Sequence, residues 1–245
     1  MKAIILRLDA PMMSFGSVVV DQHGFTDLFP GLAMLTGLAA NALGWHHADF
    51  ERLQALQDRL DFAARWDVEP KPSVDYHTVD LGSTKMRIYC WTTRGEREHR
   101  AGGPAAKFGI HQRYRHYWED GLMTIALTVR GEEYPSIEDL VQAFKKPRRP
   151  LFIGRKTCLP ARPLLDPITP LCEGHDLLTI LESVPVWKRN GEPVDSSQGC
   201  RACWTPRTVD ETEYSARLVY DLRDWANQIP VGSRWRVEGM IGGTR

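Results

Sequence analysis

Six basic side chains and one glycine lie between residues 145 and 158 of a chain whose formal net charge is zero. Prolines at 147 and 150 prevent a continuous helix in this basic segment, so its cations are expected on an extended stretch that turns at Gly154. A glycine lets a ligand backbone approach the main chain, and neighbouring cations attract phosphate. We therefore predict a phosphate-binding loop for RNA, with a solvated basic turn as the alternative. Its predicted contact residues are Arg148, Arg149, Phe152, Gly154, Arg155, Lys156 and Thr157.

A second basic stretch lies between residues 94 and 116, where six Lys and Arg residues and three histidines accompany only two acids. Aromatic rings interleaved with cations suit an RNA strand, and a solvated charged face is the alternative. Just before this stretch, Tyr76, His77 and Thr78 offer a stacking ring, a switchable donor and a hydroxyl. Within it, the residues that we expect to lie along RNA are Lys107, His111, Arg113, Tyr114 and Arg115.

The end of the first predicted strand carries a third candidate group. Methionine and phenylalanine side chains can lie against splayed bases, and glycine permits a close backbone approach. Core packing is the alternative for Met12 and Phe15, because such residues near strand ends usually face inward. The candidate residues are Met12, Met13, Ser14, Phe15 and Gly16.

Composition narrows the class of protein. With 245 residues and 42% hydrophobic content, the chain has room for one large core or two modest ones. It contains neither an apolar run of about 18 residues nor a signal-peptide core, so we expect a cytoplasmic protein without membrane contact. The five cysteines fit reduced thiols, and the lone Cys200 and Cys203 pair is a weak zinc signal. We expect no metal and no cofactor.

Hydrophobic periodicity predicts the elements that position these residues. The expected order is a strand at 3–8, helices at 32–43 and 50–60, strands at 62–68 and 122–129, and a helix at 135–144 capped by Ser136. The strand at 122–129 alternates as a half-buried strand does. This is the split βαβ order of an α+β chain with a ferredoxin-like or RRM-like domain.

The rest of the chain is assigned to two additions. A thumb hairpin or arm is expected as an insertion at about residues 73–118, which are polar, basic and rich in glycine. The predicted RRM-like domain then covers residues 1–159. Residues 160–245 are expected to form a small β-rich C-terminal extension, with short strands at 178–186, 216–220 and 233–237.

Five blocks, in order along the chain, resemble the CasD-type subunits of the subtype I-E CRISPR Cascade complex, members of the RAMP superfamily. The blocks are residues 6–16, 29–44, 75–79, 115–127 and 147–158, with a weaker sixth at 234–239. The resemblance implies a non-catalytic subunit that grips the 5′ handle of the CRISPR RNA. The partners that it implies are the backbone and large subunits of Cascade and, through the complex, target DNA.

The chain departs from that family at one helix start. Family members often carry a Thr-Lys/Arg-Ser cluster after the proline of the second block, whereas Gly31, Leu32 and Ala33 follow Pro30 here. Only the backbone N–H groups of that helix are then left to bind a phosphate. Residues 188–214 also match the family poorly.

Two other functions stay open at the level of the sequence. Related RAMP proteins cleave precursor CRISPR RNA without metal, and Tyr76, His77, His111 and His116 could supply acid and base groups for such a reaction. A structural adaptor that never touches RNA is the other alternative. Walker A, GxGxxG, GxSxG and HExxH patterns are absent from the sequence, so nucleotide hydrolysis and standard hydrolase chemistry have no support.

Overall fold

The structure, a computed structural model, describes residues 1–17, 19–80, 90–91, 97–98, 110–188, 190, 192–194, 199–206 and 215–242. The helices are α1 (Leu32–Leu43), α2 (Phe50–Arg59), α3 (Ile137–Lys145) and α4 (Leu177–Ser183). The strands are β1 (Lys2–Asp9), β2 (Met12–Met13), β3 (Val19–Val20), β4 (His23–Gly24), β5 (Leu60–Val68), β6 (Lys71–Asp80), β7 (Cys90–Trp91), β8 (Arg97–Glu98), β9 (Ile110–Glu119), β10 (Leu122–Val129), β11 (Leu171–Glu173), β12 (Val186–Trp187), β13 (Pro193–Val194), β14 (Cys200–Trp204), β15 (Ser215–Val219), β16 (Arg223–Asp224), β17 (Ile229–Pro230) and β18 (Arg234–Ile241). None of the described helices is both long and apolar enough to cross a membrane.

A seven-stranded antiparallel sheet forms the centre of the protein, in the order β11-β1-β10-β5-β14-β18-β15. Helices α1 and α2 connect β1 to β5, and α3 lies in the connection from β10 to β11. Each strand–helix–strand unit therefore has a strand of the other unit between its own two strands. The mixed α+β class predicted from the sequence is confirmed.

Hydrophobic clusters lie on both faces of this sheet. On one face, Leu6 and Leu8 of β1 belong to the cluster that includes the buried side of α1 and α3. On the other face, Ile5 belongs to a second cluster with Ile180 and Leu181 of α4. Because helices cover both faces, β10 is buried along its whole length, whereas we expected it to be buried on one face.

The strand expected at 178–186 is wrong in its first part, where helix α4 forms instead. Leu177, Ile180 and Leu181 are buried at helical spacing, and the Asp176 side chain accepts a hydrogen bond of 2.7 Å from the Thr179 N–H as the helix cap. The later strands β15 and β18 do form near the expected positions.

Strands from both sides of the expected boundary at residues 159 and 160 belong to the same sheet. β11 pairs with β1 at one edge, and β14 pairs with β5 further along. The division of the chain into residues 1–159 and 160–245 stays a prediction.

The region of the expected insertion begins and ends in two long strands. β6 and β9 pair antiparallel from Lys71 opposite Glu119 to Asp80 opposite Ile110. β9 also pairs with β2 and with β4, which places this hairpin in a second sheet beside the first. Side chains that face each other across β6 and β9 lie on the same face, and successive ones alternate between faces.

A buried ion-pair network that the sequence did not reveal joins the central strands to the chain beyond residue 160. The guanidinium of Arg7 donates to Asp67 at 2.8 Å, to Asp166 at 2.7 Å and to Thr124. Arg65 donates to the other carboxylate oxygen of Asp67 at 2.8 Å. Since Arg7 is 1% exposed, its charge is compensated within the protein.

Candidate nucleic-acid interface

Two of the predicted RNA-binding segments meet at one cleft of about 550 Å³. Half-buried residues of α1 form one wall, with Ala33, Met34 and Gly37. The turn after β2 and the basic segment form the other wall. The predicted residues that line the cleft are Ser14, Phe15, Gly16, Arg149, Phe152, Gly154 and Arg155.

Gly154 is required by a contact inside the protein. Its φ is +90°, and a Cβ at this position would overlap the Ser14 carbonyl oxygen. The Ser14 N–H in turn donates to the Ile153 carbonyl at 3.2 Å. We expected a ligand backbone to approach Gly154 closely. The protein's own turn after β2 makes that approach instead, and Gly154 allows the turn to pack against the basic segment.

The cations of the basic segment fall into two groups. Arg148 and Lys156 are exposed and Arg149 is half-buried, and none of these side chains has an ion-pair or hydrogen-bond partner among the described residues. Arg155 differs, because it donates to the His116 carbonyl at 3.1 Å and the Gly24 carbonyl at 2.9 Å. Its guanidinium also lies 4.6 Å from the Tyr117 ring centroid. Arg155 is therefore engaged in the fold, whereas its three neighbours are available to a ligand.

The remaining residues of the predicted loop flank these cations. Phe152 is half-buried in the wall of the cleft, and Thr157 is exposed beside Lys156. Their placement leaves one aromatic ring and one hydroxyl next to the available charges.

Core packing explains most of the group at the end of the first strand. Met13, Ser14 and Phe15 are buried, and the Phe15 ring lies 5.9 Å from the Trp66 ring. Met12 is half-buried, and only Gly16 is exposed. The structure thus favours a packing role for these side chains over the base contacts that we expected, because the turn folds back under the basic segment.

The hairpin separates its predicted residues onto two faces. Tyr76, Thr78 and Tyr114 lie on one face, whereas His77 and the arginines at 113 and 115 lie on the other. Lys107 is outside the described residues, and the structure describes only the backbone of His111. On the charged face, His77 contacts Asp75 at 2.9 Å, and Arg113 donates to the Asp21 carbonyl at 3.0 Å.

A stack of four aromatic rings, which we did not predict from the sequence, lies on the other face. Tyr76 lies 5.0 Å from Tyr114, Tyr114 lies 4.7 Å from His23, and His23 lies 5.5 Å from Phe25, all between ring centroids. We call these four residues the ring stack. His23 and Phe25 gave no local signal, because they join the stack only through the pairing of β4 with β9.

The amino terminus of α1 is closed to a phosphate. The Asp221 carboxylate accepts a hydrogen bond of 3.0 Å from the Leu32 N–H, and the Asp221 carbonyl accepts one of 3.0 Å from the Ala33 N–H. Gly31 allows this approach, since a Cβ there would lie 2.9 Å from the Asp221 Cβ. Our expectation of free N–H groups at this helix start is wrong, because the carboxylate and the carbonyl of Asp221 accept from the Leu32 and Ala33 N–H groups.

Of the residues considered for acid–base chemistry, Tyr76 and His116 share one face of the hairpin, where the His116 Nε2 lies 3.4 Å from the His23 Nδ1. His77 and His116 lie on opposite faces of the hairpin. Burial, with His23 and Arg155 nearby, also lowers the pKa of His116. Cys203 packs in one hydrophobic cluster and Cys200 against the other, on opposite faces of the sheet, and burial raises the pKa of Cys203 to about 12. The two thiols cannot hold one zinc ion together.

An α+β core with a long hairpin and a basic segment of unpaired cations, one of which lines a cleft, defines a class of protein suited to a polyanion. The sequence model of the family described as "CRISPR-associated protein (Cas_Cas5)" matches residues 3–237. The chain belongs to this CRISPR-associated family, as the resemblance of its sequence blocks predicted.

Known relatives agree with this assignment. The chain is 32% identical over 169 residues to "CRISPR system Cascade subunit CasD" of Escherichia coli (strain K12). The aligned region covers 66% of this chain and 68% of that protein. A chain of a "CRISPR RNA-guided surveillance complex" is similar with a TM-score of 0.67 at 22% identity, covering 98% of this chain and 90% of that one. A "Crystal structure of Cas protein" is similar with a TM-score of 0.63 at 23% identity, covering 98% and 95%. These two structures share the fold.

Proposed function

We propose that this protein is a non-catalytic RNA-binding subunit of a Cascade-type CRISPR surveillance complex, and that it grips the 5′ handle of the guide RNA. Its family and its similarity to a protein named as a Cascade subunit support the assembly. Phosphate contacts would supply affinity, and contacts to unpaired bases would supply specificity.

The unpaired cations of the basic segment are the observation on which the proposal depends most. Arg148, Arg149 and Lys156 lack charged partners among the residues that the structure describes. The buried Arg7, by contrast, is compensated by Asp67 and Asp166. Cations that the fold leaves uncompensated can release counterions from a nucleic acid, which favours binding.

The arrangement of histidines favours binding over cleavage. Cleavage of a ribose by general acid and base groups requires both groups within reach of the same reacting atoms. His77 and His116 point away from each other on the hairpin, and His77 is paired with Asp75. His77 and His116 therefore cannot act together as the acid and the base of precursor cleavage.

The test neutralises the available cations and leaves Arg155 in place. The protein is co-expressed with its genomic neighbours and a CRISPR array, and the RNA ends in the purified assembly are sequenced. We expect the wild type to retain handle-bearing RNA and the R148Q/R149Q/K156Q variant to lose it. In direct binding, the slope of log affinity against log salt should fall in magnitude by about 2, since each phosphate contact on a single strand contributes about 0.7.

A matched control removes the same charge elsewhere. Lys2, Lys188 and Arg201 are exposed and lie outside the basic segment, so a K2Q/K188Q/R201Q variant should keep the RNA. If the cleft variant assembles with unchanged RNA, the protein is a structural adaptor. If RNA fails to mature when His77 or His111 is replaced, the protein is the nuclease and the proposal is wrong.

A further inference from the structure

We infer that the ring stack on the β6–β9 hairpin is a stacking site for unpaired RNA nucleobases. The inference rests on the proposed function and adds a base-binding site to the phosphate-binding cleft. It is carried by four side chains from separate parts of the chain, Tyr76, Tyr114, His23 and Phe25, that meet on one face of the second sheet.

The geometry of the stack leaves its Tyr76 end open, whereas His116 lies 4.7 Å from Phe25 between ring centroids at the other end. His23 is nearly parallel to Tyr114, at 9°, and to Phe25, at 11°. The two terminal rings are the exposed ones, with Tyr76 51% and Phe25 39% exposed. In the part of the chain that the structure describes, no strand pairs with the outer edge of β6. A base can therefore extend the stack beyond Tyr76 with its flat face against the phenol ring.

The stack is held in place before any ligand arrives. Strand register sets Tyr76 opposite Tyr114, and Tyr114 opposite His23. Arg155 holds β4 and β9 together, because it donates to the carbonyls of both Gly24 on β4 and His116 on β9. Rings ordered in advance lose little conformational freedom when a base stacks on them, which favours binding.

The charges around the stack indicate the class of ligand. The ring face carries no carboxylate among the described side chains of β4, β6 and β9; its other members include Val74, Thr78 and Gln112. Arg113 and Arg115 lie on the opposite face of the same hairpin. Asp75 lies on that opposite face as well, so the charged groups of the hairpin are kept away from the rings. An uncharged aromatic face suits bases that stack, and it carries no described carboxylate that would repel their phosphates. Every base has a flat face, so the site is tolerant of sequence.

A ring stack that only stabilises the hairpin is the competing explanation, since aromatic pairs across strands stabilise sheets by themselves. The two explanations differ in how Tyr76 responds to the ligand's bases. Val74 is a matched control, because it lies two residues away on the same face and is also 51% exposed.

The experiment uses the full chain and a single-stranded RNA of about ten nucleotides that carries 2-aminopurine, compared with an RNA of equal length with abasic residues at its centre. We expect quenching of 2-aminopurine by the wild type. Y76A should weaken binding of the base-bearing RNA roughly 5- to 100-fold and leave the abasic RNA unaffected. Y76F and V74A should both bind like the wild type, and circular dichroism should show that every variant is folded.

The outcomes separate the two proposals. If the wild type binds RNA and Y76A binds both RNAs as the wild type does, the stacking site is wrong and the phosphate-binding cleft stands. Equal weakening of both RNAs by Y76A, or equal weakening by V74A, also overturns the stacking site. If the wild type binds neither RNA, the proposed function itself fails.

Discussion

Gly154 and Gly16 both have positive φ, of +90° and +77°, but their surroundings differ. A Cβ at Gly154 would overlap the Ser14 carbonyl oxygen, whereas a Cβ at Gly16 would meet nothing within 4 Å. We predict that G154A lowers the free energy of unfolding by about 3 kcal/mol or more, because backbone strain and overlap add. G16A should cost only about 1 kcal/mol, from strain alone.

Urea unfolding of the two glycine variants measures this difference. It also distinguishes two reasons for a glycine in the basic segment. If G154A is as stable as the wild type but binds RNA less well, the ligand and not Ser14 occupies the space at Gly154, and the contact described here is wrong.

For individual residues, the sequence indicates which residue types matter better than it indicates which partners they contact. The sequence singles out Gly154 as a position of close backbone approach, but we assigned that approach to a ligand, whereas Ser14 lies against it. We treated Arg155 and Lys156 alike, because a sequence gives charge and not the carbonyls that a guanidinium reaches. The structure separates them, with Arg155 hydrogen-bonded to His116 and Gly24 and Lys156 exposed.

At the level of secondary-structure elements, Arg155 connects the basic segment to strands β4 and β9. We predict that R155A loosens this junction, because the Gly24 and His116 carbonyls lose a shared donor. Amide hydrogen exchange in β4 and in the β9 residues near His116 should become faster without RNA present.

Lys156 provides a neighbouring control for that variant. K156A should leave hydrogen exchange unchanged and reduce the salt dependence of RNA binding, since Lys156 is exposed. R155K should restore the exchange rates only in part, because an ammonium lacks the planar fork that reaches both carbonyls. Unchanged exchange in R155A would show that the junction is held by other contacts.

The elements themselves were predicted where local signals agree. The helix at 32–43 has both helical periodicity and Gly44, which adopts the left-handed conformation that ends α1. Ser136 and Asp139 form the capping box that begins α3. Our predictions were wrong where residues far away in the sequence determine the local structure. The start of α1 is an example, because Asp221 caps it. The ring stack was hidden for the same reason, since β4 lies far from β9 in sequence.

For the molecule as a whole, the Arg7 network makes residues before and after the expected boundary at 159 depend on each other. The Asp166 carboxylate accepts from Arg7 at 2.7 Å and from the Thr169 N–H at 2.7 Å. Burial raises the pKa of Asp166, but the hydrogen bonds from Thr169 and Arg7 outweigh it, so this pKa lies below its ordinary value. The ionised form of Asp166 is thus favoured by folding.

We predict that D166N lowers the free energy of unfolding by about 3 kcal/mol at neutral pH, because it leaves the buried Arg7 incompletely paired. A carboxylate with a depressed pKa contributes stability above its unfolded pKa of about 3.9 and loses that contribution as the pH falls through the folded value. The difference between wild type and D166N should therefore shrink in acid.

Denaturant unfolding measured as a function of pH tests this prediction. Following the unfolding with two probes also tests whether the C-terminal extension unfolds separately from the rest of the protein. D75N removes an aspartate of an exposed pair with His77 and should leave stability unchanged. Because β11 and β14 complete the same sheet as β1 and β5, both probes should report one transition in the wild type and in D166N. Two transitions, with D166N shifting only one of them, would instead show that residues 160–245 fold as a unit of their own.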